Sequence, residues 1–338
     1  MADLFHQMTH YQNQRFRRHT RQRIVPAFLI GGFLGSGKTT LVNHVLADPE
    51  QARTDVLVRE YGSVSIDDKL IGIGEERVHP FPGASLHADE QTMLYMAMDR
   101  LHDERFEKFD RLLLETSGLD SLEYLVQLFM LWDMPMMYAL QSVYVLVDAE
   151  YGLLNLQEYR EAREHVAFAD VLVINKTDLA DESAIRELER TLRGINAMAE
   201  ICRTTYSRIN LEEKAALSPY QQLRHLRPPE GERGDMRDIK SIVLTADEPL
   251  DKALVNQWIN GVFQTNGAKI LRGKGFFSFA GEDYRYEFQA VRKSFHSFAR
   301  DRWGEDEQRK TTVVLIGENL PEQEALEASL LRCVRKEP

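Results

Sequence analysis

The sequence predicts an α/β fold in which helices cover both faces of a parallel sheet, followed by a smaller α+β domain. First, strand-sized apolar runs alternate with helical patterns through residues 24–206. Strands that are apolar at their centres are typical of a parallel sheet buried on both faces. Second, residues 207–238 change character and become rich in proline and charge. Third, residues 239–336 show a strand-rich pattern with a hairpin.

The periodicity of residues 24–206 places each element of the parallel sheet in order. The first strand ends at two glycines, and the following helix has Leu41, Val42 and Val45 on one face. Strands are expected at 24–30, 55–59, 112–114, 142–147, 171–174 and 200–204. Helices are expected at 38–47, 89–104, 121–131, 157–166 and 182–193, and residues 60–90 are expected to be irregular. We expect right-handed crossovers between the strands, and we expect ligands at the carboxyl ends of the strands.

The remaining regions have their own signatures. Residues 1–23 carry five arginines and one acid and are predicted to be a basic tail, and residues 207–238 a linker. The C-terminal domain, 239–336, is predicted to contain strands at 241–245, 269–279, 284–291 and 311–316 and helices at 250–263 and 321–334. The second and third of these strands form a hairpin that turns at 281–283.

Composition excludes several classes of protein. The chain has 338 residues, with 53 acidic against 42 basic side chains, so its net charge of −11 argues against charge-driven binding to nucleic acid. Two cysteines cannot form a disulfide framework or a cluster of several thiolates around a metal. Apolar runs are too short to span a membrane. We therefore expect a cytoplasmic protein without a membrane partner.

A glycine-rich loop follows the first strand. Gly32 to Thr39 fits G-x-x-x-x-G-K-[ST], with an apolar strand before it and a helix after it. This context predicts a P-loop NTPase. Lys38 would reach the β- and γ-phosphates, and the Thr39 hydroxyl would bind Mg²⁺. The expected phosphate-binding residues are Gly32, Gly35, Ser36, Gly37, Lys38, Thr39 and Thr40.

A base-recognition motif follows a later strand. Asn175, Lys176 and Asp178 form N-K-x-D, the guanine-reading pattern of GTPases. The Asp178 carboxylate would accept hydrogen bonds from N1–H and the 2-amino group of guanine, and the Lys176 stem would cover the base. Adenine offers neither donor and would leave the carboxylate unpaired, which weakens the reading as an ATP-using kinase.

Further segments resemble the CobW-like metal-chaperone GTPases, relatives of UreG and HypB. The matching segments are 31–40, 60–62, 66–67, 115–118, 147–149, 271–275, 288–291 and 316–317. The resemblance spans residues 24–334 and implies Mg²⁺-dependent hydrolysis of GTP to GDP and phosphate. It implies catalytic roles for Lys38 and for Glu115. Glu115 would lie near the γ-phosphate and near Mg²⁺, which it would contact through a water molecule. Asp67 would lie on the nucleotide-sensing loop. Alternatively, Glu115 caps the next helix.

The sequence departs from this family at its metal signature, C-x-C-C. Residues 83–87 read Gly-Ala-Ser-Leu-His, so Ala84 and Leu86 replace the first two cysteines and His87 the third. Alanine and leucine cannot coordinate metal through their side chains, which argues against zinc or cobalt at this segment. A weaker site remains open from His87 with His79, Asp89 or Glu60, or from histidines of the tail.

Two functions remain open. The first is a GTP-driven maturation factor for a client metalloprotein. The second is a protein-interaction switch without metal cargo, whose GTP and GDP states bind a partner differently. Both bind GTP and GDP, and the sequence leaves a homodimer open.

Overall fold

The computed structural model describes residues 23–60, 75–82, 90–105, 107–130, 134–211, 239–304 and 307–335. The strands are β1 (Val25–Gly32), β2 (Thr54–Glu60), β3 (Val78–Pro82), β4 (Arg111–Glu115), β5 (Tyr138–Asp148), β6 (Val171–Asn175), β7 (Glu200–Arg203), β8 (Ile239–Ala246), β9 (Ile270–Phe277), β10 (Tyr284–Val291), β11 (Ser294–Arg302) and β12 (Thr311–Glu318). The helices are α1 (Lys38–Ala47), α2 (Glu90–Arg105), α3 (Leu122–Leu128), α4 (Met134–Met137), α5 (Gly152–Glu158), α6 (Arg160–Phe168), α7 (Glu182–Ile195), α8 (Lys252–Asn266) and α9 (Gln323–Leu331).

In the described part of the chain, the N-terminal sheet has seven strands in the order β3-β2-β4-β1-β5-β6-β7. Every pairing in it is parallel. Successive side chains of a strand point to opposite faces. In β1, Ala27 and Leu29 join the core beneath α3, α6 and α7, whereas Phe28 and Ile30 join the core beneath α1. The predicted parallel sheet with helices on both faces is confirmed.

Among residues 239–304 and 307–335, the C-terminal sheet has five strands in the order β11-β10-β9-β12-β8, all antiparallel. One face packs on α8 and α9, with Phe263 against Phe288. The other face contributes Val243, Phe276 and Val314 to the large core of the N-terminal sheet. The sheet is therefore enclosed between its own two helices and the first domain, and the predicted smaller α+β domain is confirmed.

Buried charge joins the two sheets. Asp170, between α6 and β6, accepts a hydrogen bond from Arg272 at 2.7 Å and another from Lys274. Both cations lie in β9, and all three side chains are buried. Arg292 adds a half-buried ion pair to Glu123 of α3, with a Nε–Oε2 distance of 2.8 Å. The C-terminal domain thus contacts the N-terminal domain at the start of α3 and at the loop between α6 and β6.

Three local predictions were wrong. Residues 60–90 were expected to be irregular, but they contain β3, an edge strand whose two prolines hide the strand pattern. The helix expected at 157–166 is broken at Tyr159, where the backbone is extended with φ −114° and ψ 122°. No strand was expected at 294–302, because β11 is an exposed edge strand without an apolar alternation. Among the described residues no helix is long and apolar enough to cross a membrane.

Candidate nucleotide-binding site

The P-loop connects β1 to α1, and glycine is required at two of its positions. Gly32 has φ +136°, and a Cβ there would lie 2.5 Å from the carbonyl oxygen of Leu146. Gly37 has φ +104°, and a Cβ there would lie 2.4 Å from Nδ2 of Asn175. Both values of φ are unfavourable for residues with a side chain. Gly35, with φ +73°, faces open space at the tip of the loop.

Lys38 begins α1 and folds back over the loop. Its Nζ donates to the carbonyl oxygens of Gly32 at 2.8 Å and Phe33 at 3.1 Å. Burial lowers the pKa of the ammonium, while the carboxylates of Glu115 and Asp120 act in the opposite direction. The ammonium is thus held at the loop by neutral acceptors, which phosphate oxygens can replace.

Thr39 and Glu115 bring together two oxygen atoms of the kind that bind metal ions. The Thr39 hydroxyl donates to Oε1 of Glu115 over 2.8 Å. Glu115 ends β4 and is buried, whereas Thr40 is exposed on the first turn of α1. A hydroxyl beside a buried carboxylate fits Mg²⁺, which prefers hard oxygen ligands and keeps several waters. These two residues would hold the ion, Glu115 through water.

Asn175 joins the base-recognition loop to the P-loop. Its Nδ2 donates to the carbonyl oxygen of Ser36 and to Oγ of Ser207, each over 2.9 Å. Ser207 returns a backbone N–H to Oδ1 of Asn175 at 2.8 Å, and its hydroxyl donates to the carbonyl oxygen of Gly37 at 2.9 Å. Two motifs far apart in sequence therefore form one hydrogen-bonded unit.

Lys176 and Asp178 take different positions in the same motif. Lys176 adopts φ 62°, and its Nζ lies 2.6 Å from Oδ2 of Asp148 at the end of β5. This ion pair fixes the lysine stem beside the loop. Asp178 lies in the 3₁₀ turn Thr177–Leu179, and its side chain is exposed. Its carboxylate is accessible to a ligand from solvent.

Three supporting residues were given no function in the sequence analysis, although one of them lies in the matching segment 147–149: Asp148, His165 and Ser207. Asp148 ends β5 and Ser207 comes shortly after β7, both at the carboxyl edge of the sheet where side chains reach ligands, and this position was the available signal. His165 is 1% exposed in α6. In the sequence, His165 could have been recognised as a titratable ring among apolar residues of a predicted helix. Gly32 N–H donates to its Nδ1 at 3.1 Å, and its Nε2 lies 2.6 Å from the carbonyl oxygen of Asp120.

Several predicted site residues lie outside the described residues. These are Asp67, residues 83–87 with Asp89, and the histidines of the tail; the side chain of Glu60 is not described either. His79 is described, and it pairs with the buried Asp55 at 2.9 Å. In the described part of the chain, no group of three or more His, Cys, Asp or Glu side chains could hold a metal ion.

Comparison with known protein families identifies the chain. The model of the CobW/HypB/UreG nucleotide-binding domain matches residues 26–203. The chain belongs to the CobW/HypB/UreG family. The model of the CobW C-terminal domain, named for cobalamin synthesis, matches residues 239–334 of this CobW-family chain. The resemblance seen in the sequence is confirmed.

Each of the following relatives covers three quarters or more of the CobW-family chain. The zinc chaperone YjiA of Escherichia coli strain K12 is 30% identical over 88% of this chain and 95% of its own length. Zinc-regulated GTPase metalloprotein activator 1 of Dictyostelium discoideum is 25% identical over 75% of this chain and 62% of its own. The crystal structure of zinc-bound YjiA GTPase from Escherichia coli superposes with a TM-score of 0.69, at 28% identity over 93% of this chain and 100% of that one.

Proposed function

We propose that this protein is a Mg²⁺-dependent GTPase that converts GTP to GDP and phosphate in the service of metal handling. One observation carries the proposal: the side chain of Asn175 joins the N-K-x-D loop to the P-loop through Ser36 and Ser207. A phosphate cradle and a guanine reader held as one unit form the site that guanine nucleotides require. Family membership and the names of the relatives support the same activity.

Catalysis at this site is mostly positioning and charge stabilisation, because phosphoryl transfer to water needs little covalent help. Lys38 leaves its carbonyl partners for the β- and γ-phosphates and stabilises charge that develops on them. Glu115, buried beside Thr39, orients water next to the γ-phosphate. Bound Mg²⁺ would neutralise phosphate charge. No arginine finger was found in the sequence, so we expect slow intrinsic turnover.

The proposal is tested by phosphate release from GTP and ATP, with Mg²⁺ or with EDTA. Lys38→Ala should lower kcat for GTP about 100-fold or more, because a transition-state charge contact is lost. Lys310→Ala, an exposed ion-pair change in the C-terminal domain, serves as the matched control. Equal turnover of ATP and GTP by the wild type would contradict the guanine assignment.

The metal-handling part of the proposal rests on the relatives, which are named as zinc chaperones and a metalloprotein activator. These names favour a maturation factor with a client metalloprotein over a switch without metal cargo. The chain nevertheless has Ala84 and Leu86 at positions of the family's metal signature. We therefore propose that any metal transfer proceeds without a tight thiolate site on residues 83–87, and that the protein acts in the cytoplasm.

Zinc competition with a chelating indicator tests this reading on a chain that begins at Gln22, with and without GTP. We expect weak binding that His87→Ala leaves unchanged, since one imidazole and nearby oxygens lack soft anionic ligands. Tight stoichiometric binding lost on His87→Ala would restore a direct carrier role. A pull-down with the protein held in its GTP state would identify the client.

A further inference from the structure

His165 occupies a position of helix α6 that packs into the core behind the P-loop. Its side chain is 1% exposed, and Ala162 and Val166 on the same helix are buried beside it. An imidazole taken from water into such surroundings is costly unless its ring nitrogens are hydrogen-bonded. Both nitrogens of His165 have backbone partners.

These partners define the protonation of the ring. The backbone N–H of Gly32 can only donate, so Nδ1 of His165, at 3.1 Å, carries no proton. The carbonyl oxygen of Asp120 can only accept, so Nε2, at 2.6 Å, donates its proton. The ring is therefore neutral, with its proton on Nε2. Burial lowers the pKa of His165 to about 4, in agreement with this neutral form.

The two backbone partners belong to different loops of the nucleotide site. The carbonyl of Gly32 accepts from Lys38, so His165 and Lys38 hold peptides on either side of one glycine. Asp120 ends the segment that begins at Glu115, and its carboxylate accepts the N–H of Ser117 at 2.8 Å.

These hydrogen bonds connect the P-loop to the Glu115–Asp120 segment at two places. Thr39 of the P-loop is bonded to Glu115, and Gly32 of the same loop is joined through His165 to Asp120. The P-loop and the Glu115–Asp120 segment are thus fixed to each other at both ends. A shift of either loop would break a hydrogen bond of the buried imidazole.

We infer that His165 is a positioning residue for GTP hydrolysis, which sets the Gly32 peptide of the P-loop against the Glu115–Asp120 segment. The inference rests on the nucleotide site proposed above. Nδ1 of His165 accepts a hydrogen bond from the P-loop, which cradles the phosphates. Nε2 of His165 donates a hydrogen bond to the segment that carries Glu115. The two bonds therefore have separate consequences, the first for nucleotide affinity and the second for turnover.

Two amide substitutions separate these consequences in the full-length protein. His165→Asn places an amide oxygen where Nδ1 lies and keeps the acceptor for Gly32, but it cannot reach Asp120. We expect kcat to fall about three- to tenfold while the Kd for GDP is retained, the effect of one lost hydrogen bond. His165→Gln reaches Asp120 and gives up the Gly32 bond, so the Kd for GDP should rise by about the same factor.

Val166→Ala is the matched control, because it removes buried apolar volume from the same helix without touching either bond. It should lower Tm and leave kcat and Kd unchanged. Single-turnover GTP hydrolysis, GDP titration and Tm are measured for every variant, with Lys38→Ala alongside.

Each outcome decides the inference. If both His165 variants lower only Tm, as Val166→Ala does, the residue is merely structural and the inference is wrong. If kcat and Kd change together in all three core variants, the effect is general loosening and the inference is again wrong. Turnover that does not depend on Lys38 would overturn the proposed site and the inference with it. If turnover depends on Lys38 but kcat and Kd of the His165 variants equal those of the wild type, the inference about His165 is wrong and the proposed site stands.

Discussion

At the scale of single residues, the N-K-x-D motif divides its work between a buried amide and an exposed carboxylate. Asn175 is 2% exposed and bonds the P-loop, whereas Asp178 faces solvent on its turn. Asp178→Asn should therefore leave the loop intact and shift preference from guanine toward xanthine nucleotides. The amide can donate to the xanthine carbonyl, where the carboxylate only accepts.

Competition of GDP and XDP against a fluorescent GDP measures this preference. Asp247→Asn, an exposed aspartate paired with Lys310 in the C-terminal domain, is the control and should keep wild-type selectivity. Unchanged selectivity for guanine in Asp178→Asn would remove Asp178 as the base reader.

Ser207 gives a second prediction at the residue scale. Its hydroxyl accepts from Asn175 and donates to Gly37, and Ser207→Ala removes both bonds while keeping the backbone N–H on Asn175. We expect GDP binding to weaken by about 1 kcal/mol, or about fivefold in Kd. Isothermal titration with GDP and Mg²⁺ checks this value. A Kd equal to that of the wild type would show that Asn175 alone holds the two loops together.

The buried imidazole of His165 makes stability depend on pH. Its pKa is about 4 in the fold, lowered first by burial, against about 6.5 in an unfolded chain. Between these values the unfolded state binds the extra proton, so stability falls as pH is lowered from about 6.5 toward 4. The full loss over that window is on the order of 3 kcal/mol.

Urea unfolding at pH 7 and pH 4.5 measures this loss. His165→Gln has no titrating group and should show a smaller difference between the two pH values than the wild type. An identical pH dependence in both proteins would mean that His165 does not stay neutral in the fold.

At the scale of secondary-structure elements, local signals were predictable and contacts between distant segments were not. The P-loop was predictable because its glycines, Lys38 and Thr39 are contiguous and lie between a strand and a helix. Edge strands β3 and β11 were missed, since prolines and two polar faces hide their alternation. The parts played by Ser207 and His165 depend on partners many residues away, Gly37 and Gly32 among them.

The junction between α6 and β6 carries an element-scale prediction. Asp170 is buried against Arg272 and Lys274, and their positive charges lower the pKa of its carboxyl in spite of burial, which acts to raise it. Asp170→Asn leaves two buried cations without their counter-charge. We expect a loss of about 3 kcal/mol or more in the free energy of unfolding.

The matched control for this junction is Glu318→Gln, which breaks an ion pair with the exposed Arg160 at the same domain boundary. It should cost less than about 1 kcal/mol, as is usual for exposed pairs. Equal losses for the two variants in urea unfolding would mean that burial of the Asp170 cluster adds nothing.

At the scale of the whole molecule, the two sheets share one apolar core. Leu271, Phe276 and Ile316 of the C-terminal sheet belong to the same buried cluster as Leu29 and Leu172 of the parallel sheet. Neither sheet can leave this contact without exposing apolar surface to water. The C-terminal domain therefore contributes to the stability of the nucleotide-binding domain.

This shared core predicts one cooperative unfolding transition for the entire chain. Binding of nucleotide should therefore also raise the midpoint at which the C-terminal domain unfolds. A ligand that binds only the folded state stabilises it by about 2.7 kcal/mol at 100 times its Kd. Because the core is continuous, GDP with Mg²⁺ should shift a single calorimetric transition upward without splitting it. Intrinsic fluorescence of a Trp132→Phe variant, whose remaining tryptophans Trp258 and Trp303 both lie in the C-terminal domain, should report the same shifted midpoint. Two transitions, with the tryptophan signal unmoved by GDP, would show that the C-terminal domain unfolds independently of the nucleotide site.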